Sequence, residues 1–136
     1  MDTPEALKAA LLAAKGIYFP DPVKATAGIH VMSVLKQLGI DQQVAGALRP
    51  YPNGATAMKE MAAATGPGLL GCTQVTEIRY TPGVELVGVL PREFELATVY
   101  TAAVSSRADQ PQAARMLIDL LAAPASAELR RAGGFE

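Results

Sequence analysis

Short apolar runs alternate with segments of helical periodicity along the first half of the chain, and this alternation restricts the fold more than any other feature. Residues 17–19, 49–51 and 69–73 have the length and composition of short strands. Residues 4–14, 26–38 and 54–64 place apolar side chains three or four positions apart, as in helices with one buried face. Strands that alternate with helices form βαβ units, so the sequence predicts an α/β fold in three layers, with a doubly wound, mostly parallel sheet.

The remaining segments predict further elements. Asp41 is a candidate cap for a short helix over residues 41–48, and residues 84–90 and 96–104 are the longest runs of β-like composition. Asp109 with Gln112 has the spacing of a capping box before a helix that reaches residue 122. A last helix is predicted from Pro124 to the glycines at 133 and 134.

Charge and composition exclude several classes of protein. Twelve basic residues oppose thirteen acidic ones, and the basic residues are scattered, so no nucleic-acid partner is predicted. No apolar run approaches the roughly 20 residues of a membrane span, and the N-terminal segment lacks a basic leader, so neither membrane insertion nor export is predicted from the chain as written. Cys72 is a single cysteine without companions for a metal cluster, and no cofactor or metal is predicted.

A ligand site is expected where the strands end and the helices begin, because ligands of parallel α/β sheets lie outside the carboxyl ends of the strands. Three segments meet this description, and all are rich in small or uncharged polar residues: 21–28, 51–56 and 72–76. Helix starts present unpaired backbone N–H groups and about half a positive charge. The sequence therefore predicts a small oxyanion or polar ligand held by backbone N–H groups.

Several motifs in a fixed order resemble the molybdate-binding type of periplasmic substrate-binding protein from ABC transporters. They read DPVKATAGIH, YPNGATAM, GLLGCTQVTEI, PGVELVGVLP and LATVYTAAVSS. The resemblance implies the type 2 periplasmic-binding fold, a clamshell of two lobes with an oxyanion between them. Residues 1–92 would be the ligand-binding second lobe. Residues 93–136 would be the return strand and C-terminal helices that pack on the first lobe, which this chain is expected to lack.

The resemblance also implies ligand contacts at three helix starts. The first contact falls on Ala27, and the second falls near Gly54. The third is usually a tyrosine in molybdate binders and aligns with Gln74, a difference that weakens the case for molybdate. With their neighbours, the predicted site residues are Thr26, Ala27, Gly28, Asn53, Gly54, Ala55, Thr73 and Gln74. Each also has an ordinary alternative as part of a helix start, a cap or a turn.

Partners and location follow from the same resemblance. It implies an ABC transporter permease as a partner and a periplasmic location, whereas the chain as written would remain in the cytoplasm. An apolar stripe predicts a homo-oligomer formed through the C-terminal helices, and it comprises Ala113, Leu117, Leu120 and Leu121. The alternative function is therefore a self-associating structural protein without a transport role.

An enzyme that uses Cys72 or His30 is a third hypothesis. A Cys72/His30 nucleophile pair requires the fold to bring the two residues together, and no acidic residue is placed in the sequence to orient His30. The chain is therefore predicted to be a binding module and not an enzyme.

Overall fold

The computed structural model describes residues 2–135. The chain divides into two compact units, Met1–Leu96 and Ala97–Glu136. The functional division predicted from the sequence, a ligand-binding lobe over 1–92 and a return segment over 93–136, stays a prediction.

The first unit is built on a three-stranded parallel sheet. Strand β1, Gly16–Pro20, lies at the centre, between β2, Leu48–Tyr51, and β3, Leu69–Gly71. Ile17 of β1 pairs with Leu48 on one side and with Leu70 on the other. Ile17 and Phe19 are completely or almost completely buried, at 0% and 1% exposure. The predicted α/β class with a parallel sheet is confirmed.

Helices cover both faces of this sheet. They are α1, Pro4–Ala13; α2, Thr26–Gln37; and α3, Gly54–Ala63. A further helix, α4, Val75–Tyr80, packs against α3. The chain moves from β1 to β2 and then back past β1 to β3, so right-handed crossovers place α2 and α3 on opposite faces. The resulting three layers are those of a doubly wound sheet.

The packing agrees with this arrangement. Side chains of α1 and α2 form one buried cluster with Ile17 and Phe19; they are Leu7, Leu11, Val31, Val34 and Leu35. On the opposite face, Met58 and Met61 of α3 lie against Gly71 of β3, where a Cβ atom would meet their sulfur atoms. Tyr18 and Tyr51 stack with ring centroids 5.9 Å apart and planes 7° from parallel, which adds a cross-strand contact.

Local signals explain most helix boundaries. The Thr3 side chain accepts a hydrogen bond from the Ala6 N–H at 3.2 Å, and Pro4 occupies the first turn of α1. Gly39 follows α2 with a φ of 66°, which favours glycine because other residues rarely adopt it. The short helix predicted over 41–48 is wrong, since only the 3₁₀ turn Ala45–Ala47 forms there before β2 begins.

The two long β-like runs are not strands. Within the described residues, segments 84–90 and 96–104 take no part in a sheet, and Val87 and Val89 are more than half exposed. Valine, threonine and tyrosine favour a pleated, half-buried surface, but a strand also needs a neighbour to complete its hydrogen bonds. Within the described residues, segments 84–90 and 96–104 have the composition of a strand but no neighbouring strand to pair with.

The second unit contains α5, Pro111–Ala122, and α6, Ala127–Ala132, joined by the 3₁₀ turn Pro124–Ser126. Gln110 is the N-cap residue of α5 and makes no side-chain cap hydrogen bond, so the predicted capping box at Asp109 is wrong. Arg130 of α6 donates to the carbonyl oxygens of Leu121 and Ala123 at 2.6 and 2.9 Å, which ties α6 to the end of α5. Among residues 2–135, no helix has both the length and the apolar character needed to cross a bilayer.

Candidate functional site

The predicted site residues share one edge of the sheet. Since all three strands are parallel, their carboxyl ends meet at the same edge, and α2, α3 and α4 begin just beyond it. Ala27, Gly54 and Gln74 therefore each follow the end of a strand within a few residues. In a sheet of order β2-β1-β3 the ligand crevice is expected beside β1 and β3, where the direction of winding reverses.

The start of α2 is not capped by a side chain. Its N-cap residue, Ala25, provides no side-chain cap, and the first turn contains no acidic residue. Among the described residues, the N–H groups of Thr26, Ala27 and Gly28 have no hydrogen-bond partner. A Cβ on Gly28 would collide with the carbonyl oxygens of Pro20 and Asp21, so α2 begins directly against the end of β1.

Asp21 shapes the turn between β1 and α2. Its carboxylate oxygen Oδ1 accepts hydrogen bonds from the Val23 and Lys24 N–H groups at 2.8 and 2.9 Å. These backbone hydrogen bonds, with a smaller contribution from the Lys24 charge, hold the pKa of Asp21 below its ordinary value. Asp21 therefore stabilises the turn that leads from β1 into α2.

The start of α3 is capped by a side chain. Asn53 Oδ1 accepts a hydrogen bond from the Thr56 N–H at 2.8 Å, so the ordinary alternative for Asn53, a helix cap, is present. Within residues 2–135 the N–H groups of Gly54 and Ala55 have no partner. Gly54 is buried, and a Cβ there would collide with the Thr73 hydroxyl and the Glu77 carboxylate.

The segment after β3 contributes polar side chains rather than a strong helix dipole, because α4 has only six residues. The Gln74 carbonyl oxygen accepts from the Glu77 and Ile78 N–H groups at 3.0 and 3.2 Å, so its backbone closes the first turn. Thr73 Oγ1 donates a short hydrogen bond to Glu77 Oε2. Glu77 was not among the predicted site residues; the signals available were its four-residue spacing from Thr73 and its place in the first turn of α4.

Cys72 and His30 do not form a nucleophile and base. Although the Cys72 residue is only partly buried, its thiol is enclosed, and burial raises the pKa of the thiol to about 11. It therefore remains protonated at neutral pH. His30 Nε2 lies 2.7 Å from the Phe94 carbonyl oxygen. Across residues 2–135 no hydrogen bond joins Cys72 to His30, and no cluster of three or more metal-binding side chains occurs.

The fold is that of an α/β unit with a parallel sheet, in which several helices begin at one edge with unpaired N–H groups. The model of the bacterial extracellular solute-binding protein family matches residues 2–136, and the chain belongs to this family. The solute-binding part of the resemblance is thereby confirmed.

One curated relative changes the functional prediction. The chain is 33% identical over 73 residues to an aconitate isomerase from Pseudomonas sp, a region that covers 54% of this chain and 28% of the relative. The chain thus spans less than a third of that protein's length. Because this relative is named as an enzyme, the prediction that the chain is not an enzyme is contradicted. No solved structure matches the chain.

Proposed function

We propose that this chain binds a small carboxylate through backbone N–H groups at the starts of α2 and α3. The observation that carries the proposal is the set of three unpaired N–H groups at Thr26, Ala27 and Gly28, next to the reversal point of the sheet. Membership of a solute-binding family supports a binding role for this edge. Thr73 and Gln74, after β3, line the other side of the proposed crevice.

Helix starts can hold an anion without a cationic side chain. Each start carries about half a positive charge, and an anion there gains about 0.3–1 kcal/mol at exposed positions and up to about 2 kcal/mol when partly buried. The clamshell of type 2 binding proteins belongs to this proposal, with the first lobe of the clamshell covering the ligand. A single lobe leaves the ligand in contact with water, so we expect this chain alone to bind with a Kd on the order of 1 mM.

A carboxylate is favoured over molybdate for two reasons. The relative is named for aconitate, which is a carboxylate anion. In addition, Gln74 occupies the position where the molybdate-binding resemblance implies a tyrosine. Titration calorimetry with citrate, trans-aconitate, molybdate and sulfate tests the choice. The proposal expects saturable binding of the carboxylates, and binding of molybdate alone would contradict it.

Isomerisation of a carboxylate is a second candidate function, supported by the name of the relative. The Cys72 thiol, protonated at neutral pH, is a poor nucleophile for such a reaction. Incubation of the chain with cis-aconitate, followed by proton NMR, would show the trans isomer if this activity is present. An unchanged spectrum at high protein concentration would reject the activity for this chain.

The proposed location is outside the cytoplasm, and the proposed partner is an ABC transporter permease. Self-association is also proposed, because four apolar residues of α5 are exposed in the described chain: Ala113, Leu117, Leu120 and Leu121. Light scattering at tens of micromolar tests this part. A dimer or larger assembly is expected, and a monomer would contradict it.

A further inference from the structure

We propose that Glu77 determines which carboxylates the site accepts, by making the β3 side of the crevice a hydrogen-bond acceptor. This inference rests on the proposed function and refines its ligand class. The expected ligand is a carboxylate that also carries a hydroxyl or amino group. Glu77 lies against Thr73 and Gly54, two residues of the proposed site.

The Thr73 hydroxyl has a single hydrogen to donate. A threonine hydroxyl can donate one hydrogen bond, and this one is donated to Glu77 Oε2. Thr73 therefore retains only lone pairs for a ligand, and the second oxygen of the Glu77 carboxylate is also an acceptor. Thr73 is a predicted contact for an oxyanion, but in this arrangement its hydroxyl cannot donate to one.

The Glu77 carboxylate also changes the charge at the start of α3. Because Gly54 has no side chain, the Glu77 carboxylate lies directly against the first residue of the helix. A carboxylate at that place offsets the positive end of α3, and Asn53 already caps the Thr56 N–H. The start of α2 has neither a side-chain cap nor an acidic residue in its first turn. The carboxylate of a ligand is therefore better placed at α2.

One small ligand can reach both the start of α2 and the β3 side of the crevice. Strands β1 and β3 are neighbours, and adjacent strands lie roughly 4.8 Å apart, which is the span of a small ligand with two functional groups. A ligand with its carboxylate near α2 can direct a hydroxyl hydrogen at Thr73 or Glu77. Sulfate and molybdate carry no hydrogen at neutral pH, and they meet Glu77 as a like charge.

Lactate and propionate form a matched pair of probes, since they differ by one hydroxyl group. Titration of the full chain, followed by NMR, should show that lactate binds roughly fivefold more tightly than propionate. Glu77→Gln should lower this ratio to about twofold or less and strengthen sulfate binding by roughly tenfold, because the negative charge is lost and an NH2 donor replaces one of the two carboxylate acceptor oxygens. Glu60→Gln, an equal loss of charge at an exposed position of α3, should behave as the wild type.

Two results overturn the inference while the proposed function stands: equal binding of lactate and propionate by the wild type, or an unchanged lactate preference in Glu77→Gln. If that variant does not fold, 2-methoxypropionate replaces it as a probe of the wild type. Methylation removes the donor, so this ligand should lose the preference of lactate, and binding as tight as that of lactate overturns the inference. If no carboxylate binds the wild type, the proposed function fails, and this inference fails with it.

Discussion

His30 Nε2 lies 2.7 Å from the carbonyl oxygen of Phe94, a residue 64 positions further along the chain. A carbonyl oxygen only accepts, so Nε2 carries the hydrogen of this bond. Phe94 belongs to the buried cluster of the first unit, with 8% exposure. The hydrogen bond therefore fastens the 3₁₀ turn Arg92–Phe94 to α2, and it gives the lone histidine a structural role.

Replacement of His30 by alanine should destabilise the first unit by about 1 kcal/mol, because the Phe94 carbonyl loses its partner. Urea denaturation measures this cost. Gln37→Ala is a suitable control, since Gln37 is exposed on the same helix and its side chain donates to Ser33. Equal stability of the His30→Ala variant and the wild type would show that the hydrogen bond contributes nothing.

Gly28→Ala should be a severe substitution at the start of α2. The added Cβ would collide with backbone carbonyl oxygens of Pro20 and Asp21. Unlike a side chain, these backbone atoms cannot rotate away from the contact. We expect a loss at or above the upper end of the roughly 1–3 kcal/mol typical of overpacking. Thermal unfolding measures it, and a loss under about 0.5 kcal/mol, the range of ordinary surface substitutions, would contradict the close contact of α2 with β1.

Gly54→Ala should also destabilise the first unit, but by less than Gly28→Ala. Here the new Cβ would meet side-chain atoms of Thr73 and Glu77, which can move at the expense of their hydrogen bond. A cost of about 1–2 kcal/mol is expected in chemical denaturation. The matched control is Gly46→Ala: a Cβ there meets nothing within 4 Å, so stability should change by less than about 0.5 kcal/mol.

The stability of the first unit should fall at alkaline pH because of Cys72. Its pKa is about 11 in the folded chain against an ordinary value of 9.0, so the unfolded chain releases the thiol proton first. This contribution is fully present below about pH 9 and is lost as the pH rises towards about 11. Urea midpoints at about pH 8 and about pH 10.5 test it by comparison with Cys72→Ala. An identical alkaline loss in both proteins would reject a role for the thiol.

The elements with strong local signals could be predicted from the sequence. The start of α2 at Thr26 and that of α3 after Asn53 were both predicted, because helical periodicity begins there and Asn53 is a good cap. Strand β1 was predicted because residues 17–19 are apolar and are followed by Asp21-Pro22. The parallel arrangement then placed the three site segments at one edge.

The contacts that define the chemistry of the site could not be predicted in the same way. Gly54 and Glu77 belong to different helices, and only the crossing of α3 over the sheet brings them together. Segments 84–90 and 96–104 were misread because composition reports how a residue fits a strand and says nothing of a pairing partner. The Gly54–Glu77 contact was missed, and the two strands were wrongly predicted, because both depend on tertiary contacts.

Thr26→Pro tests most directly whether backbone N–H groups at the start of α2 bind the ligand. Proline suits the first position of a helix, and the extended Ala25 before it, with a ψ of 129°, is compatible with a following proline. The substitution removes the Thr26 N–H, whereas Thr26→Ala removes the hydroxyl and methyl groups and keeps the N–H. In a lactate titration, Thr26→Pro should bind roughly tenfold more weakly than Thr26→Ala. Equal affinity of the two variants would contradict recognition by these backbone groups.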